Sequence, residues 1–293
     1  MPSGCERLCL AVRRTVAERI SQSARAAGIS ADLGSLRPGK MLRVRLAGRL
    51  AAGAAPVSVD SPLLRNACAA TELFHAASLC HDDVIDHASV RRGRGAFWTV
   101  TSASGAVLFG DLLLCEALEL LRQTDAGRAL GPFMAKIQEV LRAETEQELV
   151  QRGRAVDTQT CLRLSRGKTG ALFAFVAGAC AGEDGPLRER LEEVGYCVGT
   201  AYQLADDLLD IDGSEKTAGK TLGTDSARGK ITLPRVGEQG RKRTKQEIGK
   251  LCAGALRHLS GRPGLRDALR QFIVLDLQPV LERHQSVCVE LAV

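Results

Sequence analysis

The chain has 293 residues and a formal net charge of +6, and 45% of its residues are apolar while 25% are charged. This balance is typical of a soluble globular protein, and the length allows one or two domains. Only 3% of the residues are aromatic. Few rings are therefore available to stack on unpaired bases, and we expect no nucleic-acid partner.

Ten cysteines are present, without a CxxC pair and without the Cys/His spacing of a zinc site. Most lie in apolar helical patterns, where a free cysteine behaves as a small hydrophobic residue. We therefore expect a reducing, cytoplasmic environment and no disulfides. Arginines interrupt the apolar residues near the N-terminus, which argues against a signal peptide. The longest apolar run, residues 171–182, is shorter than the about 18–20 residues that a membrane span needs.

Ala, Leu, Arg and Glu dominate, and no long stretch alternates apolar with polar residues, which predicts an all-α fold. The predicted helices are residues 5–28, a helix that opens near residue 40, 61–86, a helix from residue 110, 131–151, 155–182, 186–210 and 244–285. Residues 31–39 and 213–230 are predicted as loops. No repeat or linker interrupts this order, so we expect one all-α domain over residues 1–293.

Two DDxxD segments stand far apart in the chain. They comprise Asp82, Asp83 and Asp86, and Asp206, Asp207 and Asp210. The first and last aspartates of each segment share a helix face, where like charges repel. A bound cation would relieve this repulsion, and ligands that are all oxygen suit Mg²⁺ or Ca²⁺ rather than zinc. Because Mg²⁺ commonly completes its shell with water and phosphate, the two segments predict several Mg²⁺ ions with a polyphosphate between them.

Basic residues accompany both segments. Arg91 and Arg92 follow the first, while Lys220 and Lys230 follow the second. Lys40 and Arg43 open a predicted helix, whose N-terminus also favours anions. His75 lies two helical turns before Asp82, on roughly the same face. Each of these side chains alone is compatible with a solvated surface charge or a core histidine, but their placement beside the aspartates indicates that the basic residues bind the same polyphosphate, with His75 in reach of a second phosphate.

These segments resemble the trans-isoprenyl diphosphate synthases, or polyprenyl synthetases. The matching stretches are GKMLR at 39–43, HAASLCHDDVID at 75–86, RRG at 91–93, GD at 110–111, KTGALF at 168–173, YQLADDLLD at 202–210, GK at 219–220 and DSARGKITLP at 225–234. The resemblance implies an all-α fold, a helical bundle around a deep central cavity, usually as a homodimer. It also implies that an allylic diphosphate ionises with loss of pyrophosphate, and that the double bond of isopentenyl diphosphate attacks the resulting cation.

The resemblance also implies roles for individual residues. Catalysis is assigned to Asp82, Asp86, Lys168, Thr169, Gln203, Asp206 and Asp210. About three Mg²⁺ ions, for which Mn²⁺ can substitute, are assigned to the six aspartates, including Asp83 and Asp207. Isopentenyl diphosphate is assigned to Lys40, Arg43, His75 and Arg92. The allylic diphosphate is assigned to Arg91, Lys168, Thr169, Gln203, Lys220 and Lys230. One departure is that Pro38, Met41 and Val44 stand where the family usually has Gly, Arg and Pro. Residues 93–105 are also atypical.

Product length should depend on the side chains beneath the first aspartate segment. Ala77 and Ser78 lie about 6–7.5 Å deeper along the helix than Asp82. Both are small, and in the family a bulky residue there stops chain growth, so we expect a product longer than farnesyl, from geranylgeranyl to long-chain polyprenyl. Alternatively, small residues merely allow close helix packing. Candidates for the floor of the pocket are Phe133, Ile137 and Val140.

Two other functions remain open. Class I terpene cyclases also use a DDxxD helix, but they usually carry an N/D-S/T-E triad as their second metal site. Non-catalytic subunits that modulate a heteromeric synthase tend to carry CxxxC, which Cys5 and Cys9 form here, but they tend to have lost an aspartate segment. The basic stretch at residues 241–245 is compatible with a solvated loop or with a peripheral membrane contact that releases product.

Overall fold

The structure is a computed structural model that describes residues 3–124, 127–154, 156–212, 232–236 and 239–282. Its helices are α1 (Gly4–Ala26), α2 (Leu42–Ala52), α3 (Pro62–Ile85), α4 (Phe97–Val100), α5 (Ala103–Arg122), α6 (Leu130–Leu149), α7 (Thr158–Ser165), α8 (Ala171–Ala179), α9 (Gly185–Asp212), α10 (Gly240–His258), α11 (Pro263–Phe272) and α12 (Gln278–Glu282). Short 3₁₀ turns lie at Gly34–Leu36 and Leu233–Arg235, and π-helical turns at Arg166–Gly170 and Ile273–Leu277. The predicted all-α fold is confirmed.

Local signals set the starts of the first helices. Ser3 and Glu6 form a capping box at the start of α1, and each caps the other's backbone N–H. Ser61 precedes α3 with Pro62 at the first helical position, where proline's missing N–H costs nothing. The inward face of α1 buries residues at helical spacing against α2 and α3. The predicted helices over 5–28 and 61–86 are therefore confirmed to within two residues.

Three predicted helices differ from the structure. The segment 244–285 is divided, because residues 259–262 separate α10 from α11, and residues 241–245, for which a solvated loop was one expectation, lie within α10. The segment 155–182 is not continuous, because the π-helical turn Arg166–Gly170 separates α7 from α8. The helix predicted from residue 110 begins at Ala103 instead, since the Ser102 hydroxyl caps the N–H of Gly105 at 2.9 Å. The apolar pattern could not reveal the last two changes, because a cap and one inserted residue leave hydrophobic spacing nearly intact.

Helix α8 lies at the centre of the core, with Ala171–Gly178 buried on all sides, and α9 packs closely against it. A Cβ added to Gly195 would lie 2.5 Å from the backbone of Ala174. A Cβ added to Gly199 would lie 2.8 Å from the Cα of Gly170. Close helix packing, rather than space for a ligand, therefore explains these two glycines in α9.

Between α3 and α4 the chain makes a short hairpin of β1 (Val90–Arg91) and β2 (Arg94–Gly95). Arg92 and Gly93 form its two-residue turn with φ of 55° and 70°, as a type I′ turn requires. The hairpin projects Arg91 and Arg92 back towards the end of α3. Among the described helices, none is both long and apolar enough to cross a bilayer. The nine cysteines within the described ranges are free thiols.

Candidate active site

A cavity of about 840 Å³ opens between α2, α3, α6, α7, α8 and α9. Its charged wall comprises Lys40, Arg43, Glu72, His75, Asp82, Asp86, Arg91, Arg92, Glu144, Glu148, Lys168, Asp206, Asp207 and Asp210. Its apolar wall includes Phe74, Ala77, Leu114, Val140, Leu141, Leu172 and Phe173. One open cavity therefore combines acidic, basic and apolar surfaces, as a ligand with a charged head and an apolar tail would need.

The first aspartate segment divides its carboxylates between two surroundings. Asp82 and Asp86 line the cavity at the C-terminal end of α3. Asp83 is 1% exposed and accepts hydrogen bonds from the guanidinium of Arg91, the one from Nε at 2.9 Å. Burial raises the pKa of Asp83 and the contact with Arg91 opposes that rise. Asp83 is thus engaged with the hairpin, although the sequence pattern groups it with the metal ligands.

The second aspartate segment lies on α9, opposite the first. Asp206, Asp207 and Asp210 all line the cavity. Asp207 is 6% exposed and accepts a hydrogen bond of 2.8 Å from Nε2 of Gln203. Asp210 forms an ion pair with Arg235 at 3.0 Å. Other side chains of the protein therefore already contact some of the carboxylate oxygens that this segment could offer to a metal ion.

The chemistry of these donors fits a hard divalent cation. Asp82 and Asp86 supply carboxylate oxygens from α3, and Asp206 and Asp210 supply them from α9, around one cavity. Within the described ranges, no three His, Cys, Asp or Glu side chains form a ready-made metal cluster. Two pairs of oxygen ligands match the coordination preference of Mg²⁺, which binds one or two carboxylates and completes its shell with water and phosphate.

The π-helical turn brings Lys168 and Thr169 to the cavity wall. The Thr169 hydroxyl donates to Oε1 of Gln203 at 2.5 Å, so the amide of Gln203 is held from both ends. Lys168 contacts Glu144 at 2.8 Å and Gln147 at 3.4 Å. Sequence reasoning missed Glu144 and Gln147, because polar residues on the surface of α6 gave no sign of facing a lysine from another helix.

A basic group occupies the region between α2, α3 and the hairpin. Nε of Arg43 contacts Oε1 of Glu72 at 2.9 Å, with the two side chains 11% and 3% exposed. Arg43 also lies over the ring of Phe173, 5.8 Å from its centroid. Burial, together with the nearby arginines, holds the pKa of His75 well below its usual value, so its imidazole is neutral at pH 7. Glu72 was not predicted, although a lone carboxylate inside an apolar helix was a usable signal.

Two backbone features position the arginines of this basic group. Met41, just before α2, adopts φ of 54°, a left-handed conformation that is uncommon for a side chain of this size. A Cβ on Gly39 would lie 3.3 Å from Nη2 of Arg92, so glycine leaves room for that guanidinium. Nη1 of Arg92 contacts the carbonyl of Ser35 at 3.4 Å. Lys40 is exposed at the cavity mouth.

The predicted length-setting residues fall into two layers. Ala77, Ser78 and Val140 line the cavity. Phe133 and Ile137 are buried and are absent from its wall. Phe74 lines the cavity, and the ring of Phe133 packs edge-on against it with 6.3 Å between centroids. Lys220 and Lys230 lie outside the described residues.

The fold and the cavity together define an all-α protein with two aspartate pairs and a basic group around one partly apolar chamber. The chain belongs to the polyprenyl synthetase family, whose sequence model matches residues 32–255.

Comparison with known proteins supports the same family. Component 2 of the heptaprenyl diphosphate synthase of Geobacillus stearothermophilus is 36% identical over 192 residues, which cover 64% of this chain and 60% of that protein. The octaprenyl diphosphate synthase of Haemophilus influenzae is 32% identical over 223 residues, covering 74% and 63%. The chain thus spans less than two thirds of these curated relatives. A polyprenyl synthase from Caulobacter crescentus, solved with calcium and isoprenyl diphosphate, superposes with a TM-score of 0.78 at 26% identity, covering 92% and 95% of the two chains.

Proposed function

We propose that this protein is a trans-isoprenyl diphosphate synthase, which condenses isopentenyl diphosphate with an allylic diphosphate and releases pyrophosphate. The observation that carries the proposal is the placement of two aspartate pairs and a separate basic group on the wall of one cavity that also has an apolar side. The names of the relatives and of the Caulobacter structure support the same chemistry.

Asp82, Asp86, Asp206 and Asp210 are the residues that would hold Mg²⁺, or Mn²⁺ in its place. The bound ions would act as Lewis acids on the leaving diphosphate. Asp83 and Asp207 would act through their neighbours, because Arg91 engages the first and Gln203 the second. Arg91 and Lys168 would bind the allylic diphosphate, and for Lys168 this means exchanging Glu144 for the substrate.

Thr169 and Gln203 would face the carbon that becomes cationic. Since Thr169 and Asp207 both bond to the Gln203 amide, its dipole is fixed before substrate arrives. Dipoles that need no reorientation stabilise developing charge most effectively. These two residues would therefore favour ionisation without acting as nucleophiles.

Isopentenyl diphosphate would bind at the basic group. Arg43 and Arg92 supply guanidinium donors, Lys40 lies at the mouth, and the neutral His75 can still donate one N–H to a phosphate oxygen. Because these donors are different side chains from the aspartate pairs, each diphosphate has its own set of binding residues. Lys220 and Lys230 keep their predicted roles at the allylic diphosphate, as part of the proposal.

Incubation of the purified chain with Mg²⁺ and an allylic diphosphate, with and without isopentenyl diphosphate, tests this function. We expect a longer prenyl diphosphate and pyrophosphate only when both substrates are present. Turnover of the allylic diphosphate alone would instead indicate a terpene cyclase. Inactivity of the single chain that a second protein restores would indicate a component of a heteromeric synthase, the kind of protein that the name component 2 describes for one relative.

We further propose a product longer than farnesyl. Ala77 and Ser78 both line the cavity beneath Asp82, and although Ala77 is fully buried at that wall, the small size of both side chains leaves space for a growing chain. The family also includes a protein of Mycobacterium tuberculosis named as a farnesyl diphosphate synthase, so relatedness alone does not set the length. The lining residues, rather than relatedness, therefore support the proposed product length.

The substitution Ala77→Tyr should shorten the main product by at least one isoprene unit, because the phenol would project into the apolar part of the cavity. Mass spectrometry of the products measures the shift, and Ser78→Ala, which adds no bulk, serves as the matched control. An unchanged product distribution from folded Ala77→Tyr protein would contradict the assignment of this wall.

A further inference from the structure

Thr232 is a buried hydroxyl on the cavity wall that has no partner within the described residues. It is 6% exposed, it lines the cavity, and its Oγ1 makes no hydrogen bond there. The great majority of buried polar groups in proteins are paired. An unpaired hydroxyl on a residue of the cavity wall therefore indicates a donor or acceptor whose partner arrives with a ligand.

The chain after Thr232 is fixed to the second aspartate segment. Residues Leu233–Arg235 form a 3₁₀ turn that packs against α7, α9 and α10. Nη2 of Arg235 donates to Oδ2 of Asp210 at 3.0 Å. The Asp210 side chain in this ion pair is only 6% exposed. Nε of Arg235 is also buried without a hydrogen-bond partner within the described residues. Two buried polar atoms without a partner in the described part of the chain, Oγ1 of Thr232 just before the turn and Nε of Arg235 at its end, thus lie within four residues of each other and next to Asp210.

The surroundings of Thr232 favour a charged ligand group over an apolar tail. Asp206 and Asp210 line the same part of α9, and Arg235 adds a cation next to them. The small residues Ala77 and Ser78, which bound the space for the tail, belong to α3. A hydroxyl beside the metal-binding carboxylates is placed to donate to an anion that those metal ions would hold.

We propose that the Thr232 hydroxyl donates a hydrogen bond to an oxygen of the diphosphate that binds at the second aspartate segment, and that Arg235 positions this turn through Asp210. The inference rests on the proposed function, since it takes the ligand to be a diphosphate. It adds a ligand contact that the DDxxD, lysine and glutamine positions do not include.

Thr232→Val tests the proposal, because valine keeps the shape of threonine and removes only the hydroxyl. Titration calorimetry of inorganic pyrophosphate in the presence of Mg²⁺ should show about tenfold weaker binding, as expected for loss of one hydrogen bond to a charged group. Thr232→Ser keeps the hydroxyl and should bind within about threefold of the unsubstituted protein. The Tm of ligand-free Thr232→Val should stay equal or rise, because an unpaired buried polar group is replaced by an apolar one.

Weaker pyrophosphate binding with an equal or higher Tm in Thr232→Val indicates a ligand contact. A purely structural role of the hydroxyl would instead lower both the affinity and the Tm. Unchanged pyrophosphate affinity in folded Thr232→Val protein would overturn the proposal, and so would a lower Tm with equal losses in the Val and Ser variants. A prenyl alcohol without phosphate serves as a second probe, and its affinity should be unaffected. Failure of the unsubstituted protein to bind pyrophosphate would instead remove the proposed function on which the inference rests.

Discussion

At the scale of single residues, the site depends on charges that are held in place before any ligand binds. Arg43 illustrates this arrangement, because Glu72 contacts it from one side and Phe173 lies beneath its guanidinium. A lysine could not reproduce both contacts, since the planar guanidinium hydrogen-bonds along its edge while its face stacks on a ring. The ion pair therefore orients Arg43 as well as neutralising it.

Substitution of Glu72 should be costly, because it leaves the Arg43 guanidinium with 11% exposure and without its carboxylate. We expect Glu72→Ala to destabilise the protein by about 3 kcal/mol and Glu72→Gln by less, since the amide oxygen still accepts a hydrogen bond. Denaturant unfolding measures both variants. The control is Glu18→Ala, whose partner Arg14 is 81% exposed and whose loss should leave the free energy of unfolding almost unchanged. Equal losses at the two sites would contradict the argument.

His75 should make stability depend on pH. Its pKa in the folded protein lies well below 6.5, so in the window below about pH 6.5 the unfolded chain takes up a proton that the folded protein does not. Stability should therefore fall as the pH drops through that window, by at most about 1.4 kcal/mol per pH unit from this residue.

The substitution His75→Gln should reduce this loss between pH 7 and pH 5.5, as measured by Tm at both values. A pH dependence in His75→Gln identical to that of the unsubstituted protein would show that His75 is not the group responsible.

Sequence spacing identified the aspartates of this site, but it could not assign their partners. Positions i and i+4 share a helix face by geometry alone, so Asp82 with Asp86 followed directly from the pattern. The contact of Asp83 with Arg91 crosses the hairpin turn, and that of Asp210 with Arg235 crosses a loop. Such contacts depend on the tertiary path of the chain, about which a local pattern carries no information.

At the scale of secondary-structure elements, the π-helical turn Arg166–Gly170 decides which side chains reach the cavity. Lys168 and Thr169 face the cavity, while Arg166 lies on the other side, 3.8 Å from the centroid of the Tyr196 ring on α9. Hydropathy predicted one helix through this region, because a single inserted residue hardly changes the apolar spacing. π-helical turns occur frequently at functional sites. Here the contact of Arg166 with the Tyr196 ring fixes the side of the turn that faces away from the cavity.

The stack of Arg166 on Tyr196 should therefore affect substrate binding from outside the cavity. Tyr196→Leu removes a contact worth about 1 kcal/mol, and we expect the KM for the allylic diphosphate to rise about fivefold while that for isopentenyl diphosphate stays constant. Tyr196→Phe keeps the ring and loses only the hydroxyl contacts with Glu139 and Lys136, so its KM values should change less. Steady-state kinetics measure both, and a parallel rise of the two KM values would argue for a general loss of structure.

At the scale of the whole molecule, the cavity is assembled from helices that lie far apart in sequence, and this explains which of its walls could be predicted from the sequence. The polar wall was predictable, because each motif carries its own chemistry. The apolar wall was less so: Val140 lines the cavity, whereas Phe133 packs behind Phe74. The sequence pattern does not distinguish a residue that lines the cavity from one in the layer behind it, since both are apolar residues on the inward face of a helix.

Helix α5 is apolar on more than its inward face. Leu113 and Leu121 are fully buried in the core, yet Val107 and Leu108 on the outer face are 40% and 68% exposed. Cys115, one heptad after Leu108, is exposed as well. Asp111, which is 61% exposed, interrupts this stripe, but exposed apolar residues grouped on one face commonly mark an interface between proteins. We propose that a second copy of this chain covers α5, which gives the homodimer expected from the resemblance.

Leu108→Glu tests this interface, because a charge in the centre of the stripe would have to be desolvated on association. We expect light scattering to show a dimer for the unsubstituted protein and a predominantly monomeric species for Leu108→Glu, with helical content unchanged since position 108 contributes little to the core of the protomer. Leu10→Glu is the matched control, because Leu10 on α1 is 61% exposed and its substitution should leave the dimer intact. A dimer that survives Leu108→Glu, or that Leu10→Glu disrupts equally, would place the interface elsewhere than on α5.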